Sequence, residues 1–209
     1  MNENKYFESR YTFDKGRKKV WKAICQYLNN IIGNNHLSIV DIGSGYCDFI
    51  NQIEADKKIA IDKNPEAKAF CDINVDFYSS YDEFFLTNTI VDVYFMSNLL
   101  EHLYDDECHK LLKSIYQNLK EGGKIIVIQP NYYYAYREYW DDYTHVKAYS
   151  HISLADLLIS IGFKIQRSEK RFLPFTLKSL LPKTYWLTKL YLSAPFRPFA
   201  KQMLIIASK

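Results

Sequence analysis

Two glycines and an acid mark the first place where this sequence could do chemistry. Val40-Asp41-Ile42-Gly43-Ser44-Gly45-Tyr46-Cys47 joins a β-branched apolar run to a helical pattern. Glycines at such a junction let the backbone approach a ligand closely and aim amide N–H groups at it. Asp62 stands 19 residues past Gly43, at the end of the next apolar run. A carboxylate there can accept hydrogen bonds from both ribose hydroxyls of a nucleoside. Strand, glycine turn, helix and acid in this order point to an adenosine ligand. A dinucleotide fingerprint needs a third glycine at position 48, where this chain has Asp48. Its charge would repel a pyrophosphate but tolerate the cationic sulfonium of S-adenosylmethionine (SAM), which carries no phosphate. The residues therefore favour SAM over NAD.

The second place is set by two histidines, His102 and His145. An imidazole near neutral pKa suits removal of a proton from a hydroxyl acceptor. His145 falls in the connection after the apolar run Lys124–Gln129, where open parallel sheets border their ligand crevice. We take it as the preferred base; a loop histidine bonded to backbone is the other reading. His102 is the second candidate, or a residue that orients its loop. Tyr132, Tyr133, Tyr134, Tyr136, Tyr139, Trp140 and Tyr143 crowd the same connection. Such rings can wall a pocket or stack on a sugar, or simply pack. Tyr11, Tyr133, Arg137 and Trp140 are the candidate acceptor contacts, with Arg137 suited to an anionic group. No metal is expected. Some enzymes that use SAM hold a divalent ion through Glu-x-x-Glu-His plus a further His, but here the run is Asn98-x-x-Glu101-His102. Loss of one hard anionic ligand weakens a magnesium-type site, although His145 or His151 could compensate.

Positioning these groups requires alternating strands and helices. Residues 15–33 carry Val20, Trp21, Ile24, Leu28, Ile31 and Ile32 at helical spacing. Leu37–Ile42, Lys58–Ile61, Cys71–Asp76, Val91–Met96 and Lys124–Gln129 read as strands, with a helix starting over Cys47–Glu54. Asp105 and Asp106 open a helix to Lys120, which Glu121-Gly122-Gly123 would stop with a left-handed cap. Ser153 would cap a helix through Ile161 that Gly162 ends. Phe163–Arg171 and Met203–Ala207 read as final strands around an aromatic, basic insertion at 172–201. This alternation implies a parallel sheet covered on both faces. One domain over 1–209 is expected, with an N-terminal helical cap at about 1–35.

Composition limits the partners. The four cysteines lie apart with no metal spacing, which fits a reducing compartment, and no signal peptide or membrane span is evident. A cytoplasmic location is expected. Net charge is only +3, against a nucleic-acid binder, yet the chain has no acid after Glu169 and eight basic residues there. One face could thus meet an anionic partner, or be a solvated edge. The 172–201 segment could lie on a membrane; a lid or an oligomer surface is the other reading.

Four segments resemble one family. Asp41-x-Gly43-x-Gly45, Asp62, Val91-Asp92-Val93-Tyr94-Phe95-Met96-Ser97-Asn98-Leu99-Leu100-Glu101-His102-Leu103 and Leu119-Lys120-Glu121-Gly122-Gly123-Lys124-Ile125-Ile126-Val127 resemble motifs of class I SAM-dependent methyltransferases. Cys47 departs from them where many members have glycine. The resemblance implies a Rossmann-like α/β fold: a seven-stranded, mostly parallel sheet with helices on both faces and the last strand antiparallel. It implies that Asp41, Gly43 and Gly45 shape the methionine end of SAM and Asp62 holds the ribose. Asp76 and Phe77 would meet the adenine, and Ser97 and Asn98 would line the floor near the sulfonium. Trp140-Asp141-Asp142-Tyr143-Thr144-His145-Val146 and Ser153-Leu154-Ala155-Asp156-Leu157-Leu158 look like methyltransferases found with bacterial surface-polysaccharide genes. That narrower likeness implies methylation of an oxygen on a small polar acceptor: a sugar, a nucleotide-sugar or a phosphate-type, glycan-linked group. The rivals are an NAD-type oxidoreductase and a non-catalytic SAM-binding protein.

Overall fold

The computed structural model describes residues 15–33, 37–175 and 182–209. Helix α1, Lys15–Ile32, is followed by strands β1 (Ser38–Ile42), β2 (Lys57–Ile61) and β3 (Val75–Tyr78). A short helix α2 (Tyr81–Leu86) leads to β4 (Val91–Ser97), α3 (Asp105–Asn118) and β5 (Leu119–Pro130). One turn of helix, α4 (Tyr132–Ala135), precedes α5 (His151–Ile161), β6 (Lys164–Glu169), α6 (Tyr185–Ser193) and β7 (Gln202–Ser208).

The strands form one sheet in the order β3-β2-β1-β4-β5-β7-β6. β1 to β5 pair in parallel, and β7 lies antiparallel between β5 and β6. Strand order reverses between β1 and β4, because the chain winds outward one way from β1 and the other way from β4. In such sheets a ligand binds beyond the carboxyl ends of the two strands at the reversal. The fold expected from sequence is thus observed, including the antiparallel strand at the end of the chain.

Alternate residues of the central strands feed two cores. Val40, Ile42, Tyr94, Met96, Ile125 and Val127 pack with Leu111, Leu112 and Ile115 of α3 and Leu154 and Leu158 of α5. Ile39, Val93, Phe95, Ile126 and Ile128 face the other way, onto Trp21, Ile24 and Leu28 of α1 and Leu192 of α6. Strands buried on both faces read as continuous apolar runs, as these do. Each fully buried Ile or Leu contributes about 1.5–3 kcal/mol, which holds the strand ends in fixed positions. Among the described residues no helix is long and apolar enough to cross a membrane.

Local details differ from the sequence reading. After β1 the chain makes a run of hydrogen-bonded turns in place of a regular helix. Cys47 adopts a positive φ of 54°, which interrupts helical geometry, and the buried Asp41 carboxylate takes the Ile50 backbone N–H. β3 lies over Val75–Tyr78, displaced toward the C-terminus from the expected Cys71–Asp76. α3 stops at Asn118, and Leu119 is already extended and paired with Val91. The two glycines form a bulge here: Gly122 has φ 73°, and a Cβ on Gly123 would sit 2.8 Å from the Lys120 carbonyl oxygen. The capping side chain of α5 is Ser150, with Ser153 completing a reciprocal capping box.

Candidate active site

The nucleoside side is built from the ends of β1 and β2. Gly43 and Ser44 N–H groups donate to the Ile61 carbonyl at 2.8 and 3.2 Å, which folds the glycine loop over β2. Gly43 has φ 76°, and a Cβ there would lie 3.2 Å from Leu99 Cδ1. Glycine at 43 suits both this left-handed backbone and the close approach of the β4 loop. Gly43→Ala should lower stability by about 1–3 kcal/mol through left-handed strain and this contact. A thermal melt checks it; an unshifted midpoint would show a yielding loop.

Asp62 ties the two loops together. Its Oδ2 accepts from Gly45 N–H at 2.7 Å and its Oδ1 from Asn64 N–H at 2.9 Å. Burial raises its carboxyl pKa, opposed by those two N–H groups. Asp41, almost fully buried, is raised well above the usual carboxylate range, first by burial and then by the charge of Asp62. Asp48 is bonded to Arg17 of α1 at 2.8 Å, so its charge is matched in the fold. Its repulsion of a pyrophosphate is weaker than the sequence alone suggests. Cys47 and Cys71, free thiols 24 residues apart, meet with sulfurs 2.8 Å apart and join the glycine loop to the segment after β2.

Asp76 and Phe77, expected to follow the third strand, lie within it. Asp76 pairs with Ile59 and Phe77 with Ala60, in the interior of β3. The strand end level with Asp62 is Tyr78, whose carbonyl accepts the Asp62 N–H at 3.2 Å. Ser97 ends β4, and Asn98 follows with φ 52°. Asn98 N–H donates to the Ile128 carbonyl, and its side chain bonds Ser97 Oγ and Gln202 Nε2. Both lie on the loop that Leu99 presses against Gly43.

Beyond Leu99 the β4 loop delivers Glu101 and His102 in one turn of helix, Leu100–His102. The connection after β5 folds back onto this turn. Val146 and Lys147 N–H groups donate to the Glu101 carbonyl, and the imidazoles of His102 and His145 lie 4.8 Å apart. His145 is nearly buried, its Nδ1 2.6 Å from the Tyr139 carbonyl. His102 Nδ1 lies 2.9 Å from Thr144 Oγ1, which itself donates to Asp142 at 2.7 Å. Glu101 is fully buried, and beyond its own backbone N–H its carboxylate has no hydrogen-bond partner among the described residues. Burial pushes its pKa up to about 8, with the Asp142 charge adding to the rise. Burial, then the charge of His145, lowers the pKa of His102. Two imidazoles beside a buried carboxyl can take and hold a proton next to the nucleoside crevice.

Comparison with known proteins decides what the crevice serves. A family described as methyltransferase domain matches residues 13–168. The chain is a class I SAM-dependent methyltransferase. A search of curated proteins finds no match. Among solved structures, a SAM-dependent methyltransferase from Archaeoglobus fulgidus is similar at 19% identity over 100% of both chains, TM-score 0.70. The plantazolicin methyltransferase BpumL, solved with S-adenosylhomocysteine (SAH) and a desmethyl-plantazolicin analogue, matches at 15% identity, covering 100% of this chain and 91% of its own, TM-score 0.66. A Haloferax volcanii methyltransferase solved with its Trm112 activator matches at 15% identity over 99% and 92%, TM-score 0.65. SAM is the methyl donor and SAH the product. Family membership sets aside the NAD-type alternative.

The methyltransferase places its expected acceptor contacts unevenly. Tyr133 and Trp140 are exposed on the connection after β5, and Arg137 bonds the neighbouring Tyr136 hydroxyl. Tyr11 lies outside the described residues. A cavity of about 490 Å³ lined by Gly122, Lys124, Gln166, Arg167 and Ser208 sits at the opposite end of the strands, away from this chemistry. The basic tail is partly matched internally: Arg197 pairs with Glu169, Lys201 with Glu138, and Lys209 with Glu121 at 3.5 Å. Sequence reading gave Glu101 no acceptor-side role of its own and passed over Gln129, fully buried at the end of β5 with its amide unpartnered among the described residues. The adjacency of Glu101 and His102 just past a strand end was the available signal for the first.

Proposed function

We propose that the enzyme transfers the SAM methyl to an oxygen of a small polar acceptor. The class favoured is a sugar, nucleotide-sugar or phosphate-type group, glycan-linked, in bacterial surface-polysaccharide biosynthesis. One observation carries this reading: Glu101, His102 and His145 converge beside the donor loops, where a hydroxyl would lose its proton. His145 is the base, His102 its neighbour, and Glu101 the buried carboxyl beside both. In-line displacement gains mainly from positioning, and a base adds about 10²–10⁴-fold for a hydroxyl. The exposed rings of Tyr133 and Trp140 and the guanidinium of Arg137 suit an acceptor with a sugar face and an anionic group. Tyr11 belongs to the same proposed set. On the donor side Asp41, Gly43, Gly45, Asp62, Ser97 and Asn98 hold SAM, with Asp76 and Phe77 of β3 the proposed adenine contacts.

Residues 1–209 form a single domain in this reading, supported by β7, which returns after the 172–201 insertion to pair between β5 and β6. Four free cysteines fit a cytoplasmic location. The insertion, with Trp186 and Leu190 exposed on α6, is a lid, an oligomer surface or a membrane contact. The test is turnover of labelled SAM with nucleotide sugars and glycan extracts. Label on a hydroxyl oxygen supports the reading. Label on nitrogen overturns it, and SAM binding without turnover on any acceptor favours the non-catalytic rival.

A further inference from the structure

We propose that Cys71 is an oxidation site for a hydroperoxide, and that Cys47 resolves it into a disulfide that clamps the donor loops. The oxidation is independent of the functional reading above; its effect on SAM rests on the donor side of that reading. The fold aligns the two thiols. Cys47 lies in the turn after Gly45 with φ 54°, and Cys71 ends the short helical segment Pro65–Phe70 that follows Asp62. Asn51 fastens one to the other. Its N–H donates to the Cys47 carbonyl at 3.1 Å, its Nδ2 donates to the Phe70 carbonyl at 2.8 Å, and its Oδ1 accepts the Asp72 N–H at 3.0 Å. Both neighbours of Cys71 are thus tied to the turn that carries Cys47. The sulfurs meet at 2.8 Å. A disulfide needs about 2.0 Å, so closure asks for only a small shift. The other two thiols are engaged elsewhere, Cys25 with the Phe49 carbonyl and Cys108 with the Tyr149 hydroxyl.

The roles divide by exposure and charge. Cys71 is half-buried, while Cys47 is fully buried. The Cys47 S–H donates to Cys71, which lowers the Cys71 pKa against its partial burial and the charges of Asp72 and Asp62. The same bond, then burial, raises the pKa of Cys47. An accessible, more acidic thiol beside a resolving one is the arrangement of redox-sensing cysteines. Disulfides of a reducing compartment are mostly transient ones of this kind.

The Cys71 thiolate attacks the outer oxygen of the hydroperoxide. An S–O bond forms, the O–O bond breaks, and the peroxide is reduced by two electrons to water or an alcohol. The resulting sulfenic acid is uncharged, so the charge that held the Cys47 proton is gone. Cys47 then attacks the Cys71 sulfur. The S–S bond forms, the S–O bond breaks, and the oxygen leaves as water with the Cys47 proton. A dithiol reverses the bridge by exchange. The bridge ties the glycine loop to the segment beyond Asp62, two pieces that already meet through the Gly45 N–H on Asp62. Local parting of these loops lets SAM enter and SAH leave, and the bridge closes that route.

The experiment treats the full, reduced chain with hydrogen peroxide, then alkylates it and maps it by mass spectrometry without reduction. A peptide linked through Cys47 and Cys71 is expected, with two of the four thiols lost and recovered in dithiothreitol. The melting midpoint of the linked form should rise by about 5–10 °C, the effect of closing a loop of this length. Labelled SAM should leave the linked form at least about tenfold more slowly than the reduced form, since the loops no longer part. Cys47→Gly, which suits the positive φ, should leave Cys71 as a sulfenic acid that dimedone traps. Cys71→Ser should bind and release SAM as the reduced parent does, before and after peroxide. No linked peptide, or a bridge to another cysteine, overturns the proposal. A linked form that releases SAM as fast as the reduced form overturns it as well. Asp62→Ala, through SAM affinity alone, reads the donor placement separately.

Discussion

His145→Ala should lower methyl-transfer turnover by about 10²–10⁴-fold, the usual contribution of a positioned acid–base group. SAM affinity should stay near that of the parent, because the His145 ring lies against His102 and Tyr139, on the acceptor side of the proposed site. The fold should survive, since removing the ring leaves the Val146 and Lys147 N–H bonds to the Glu101 carbonyl in place. Steady-state kinetics and SAM calorimetry on one sample check all of this. Unchanged turnover would return the role to His102 or to positioning alone.

The second large effect concerns the donor. Asp62→Ala should raise the SAM dissociation constant by about 10–100-fold, corresponding to about 1.5–3 kcal/mol for a hydrogen-bonded carboxylate. Part of the loss comes from the loop, since Asp62 also holds the Gly45 N–H. SAH affinity should fall in parallel, because product and substrate share the ribose. Calorimetry of both ligands checks this. Parent-like SAM binding in a folded variant would mean that the nucleoside lies elsewhere.

The fold was legible because its signals are local. β-branched runs alternating with amphipathic helices specify a covered parallel sheet, and the glycine loop and Asp62 sit within two consecutive strands. Errors arose where tertiary context decides. β3 is short, and its register depends on pairing with β2, which places the strand over Val75–Tyr78 and Asp76 and Phe77 inside it. The stop signal of Gly122-Gly123 serves a bulge, because Leu119 is drawn into the sheet by Val91. Charge readings suffered likewise: Arg17 meets Asp48 from a separate helix.

The acceptor side was half legible. His102 and His145 were recognisable as histidines near strand ends. Their convergence was not, because it depends on how the connection after β5 folds back. The pin is the pair of N–H groups from Val146 and Lys147 on the Glu101 carbonyl, backbone contacts that leave no mark in side-chain pattern. Glu101 itself reads in sequence as an ordinary acid; only its burial beside two imidazoles gives it a role.

The most direct measurement is a crystal structure of the enzyme with SAH. The ribose hydroxyls should lie on Asp62, and the sulfur should face His102 and His145 across a space open to an acceptor. A sulfur directed away from the two imidazoles, or a nucleoside lying away from Asp62, would contradict the assignment of donor and acceptor sides.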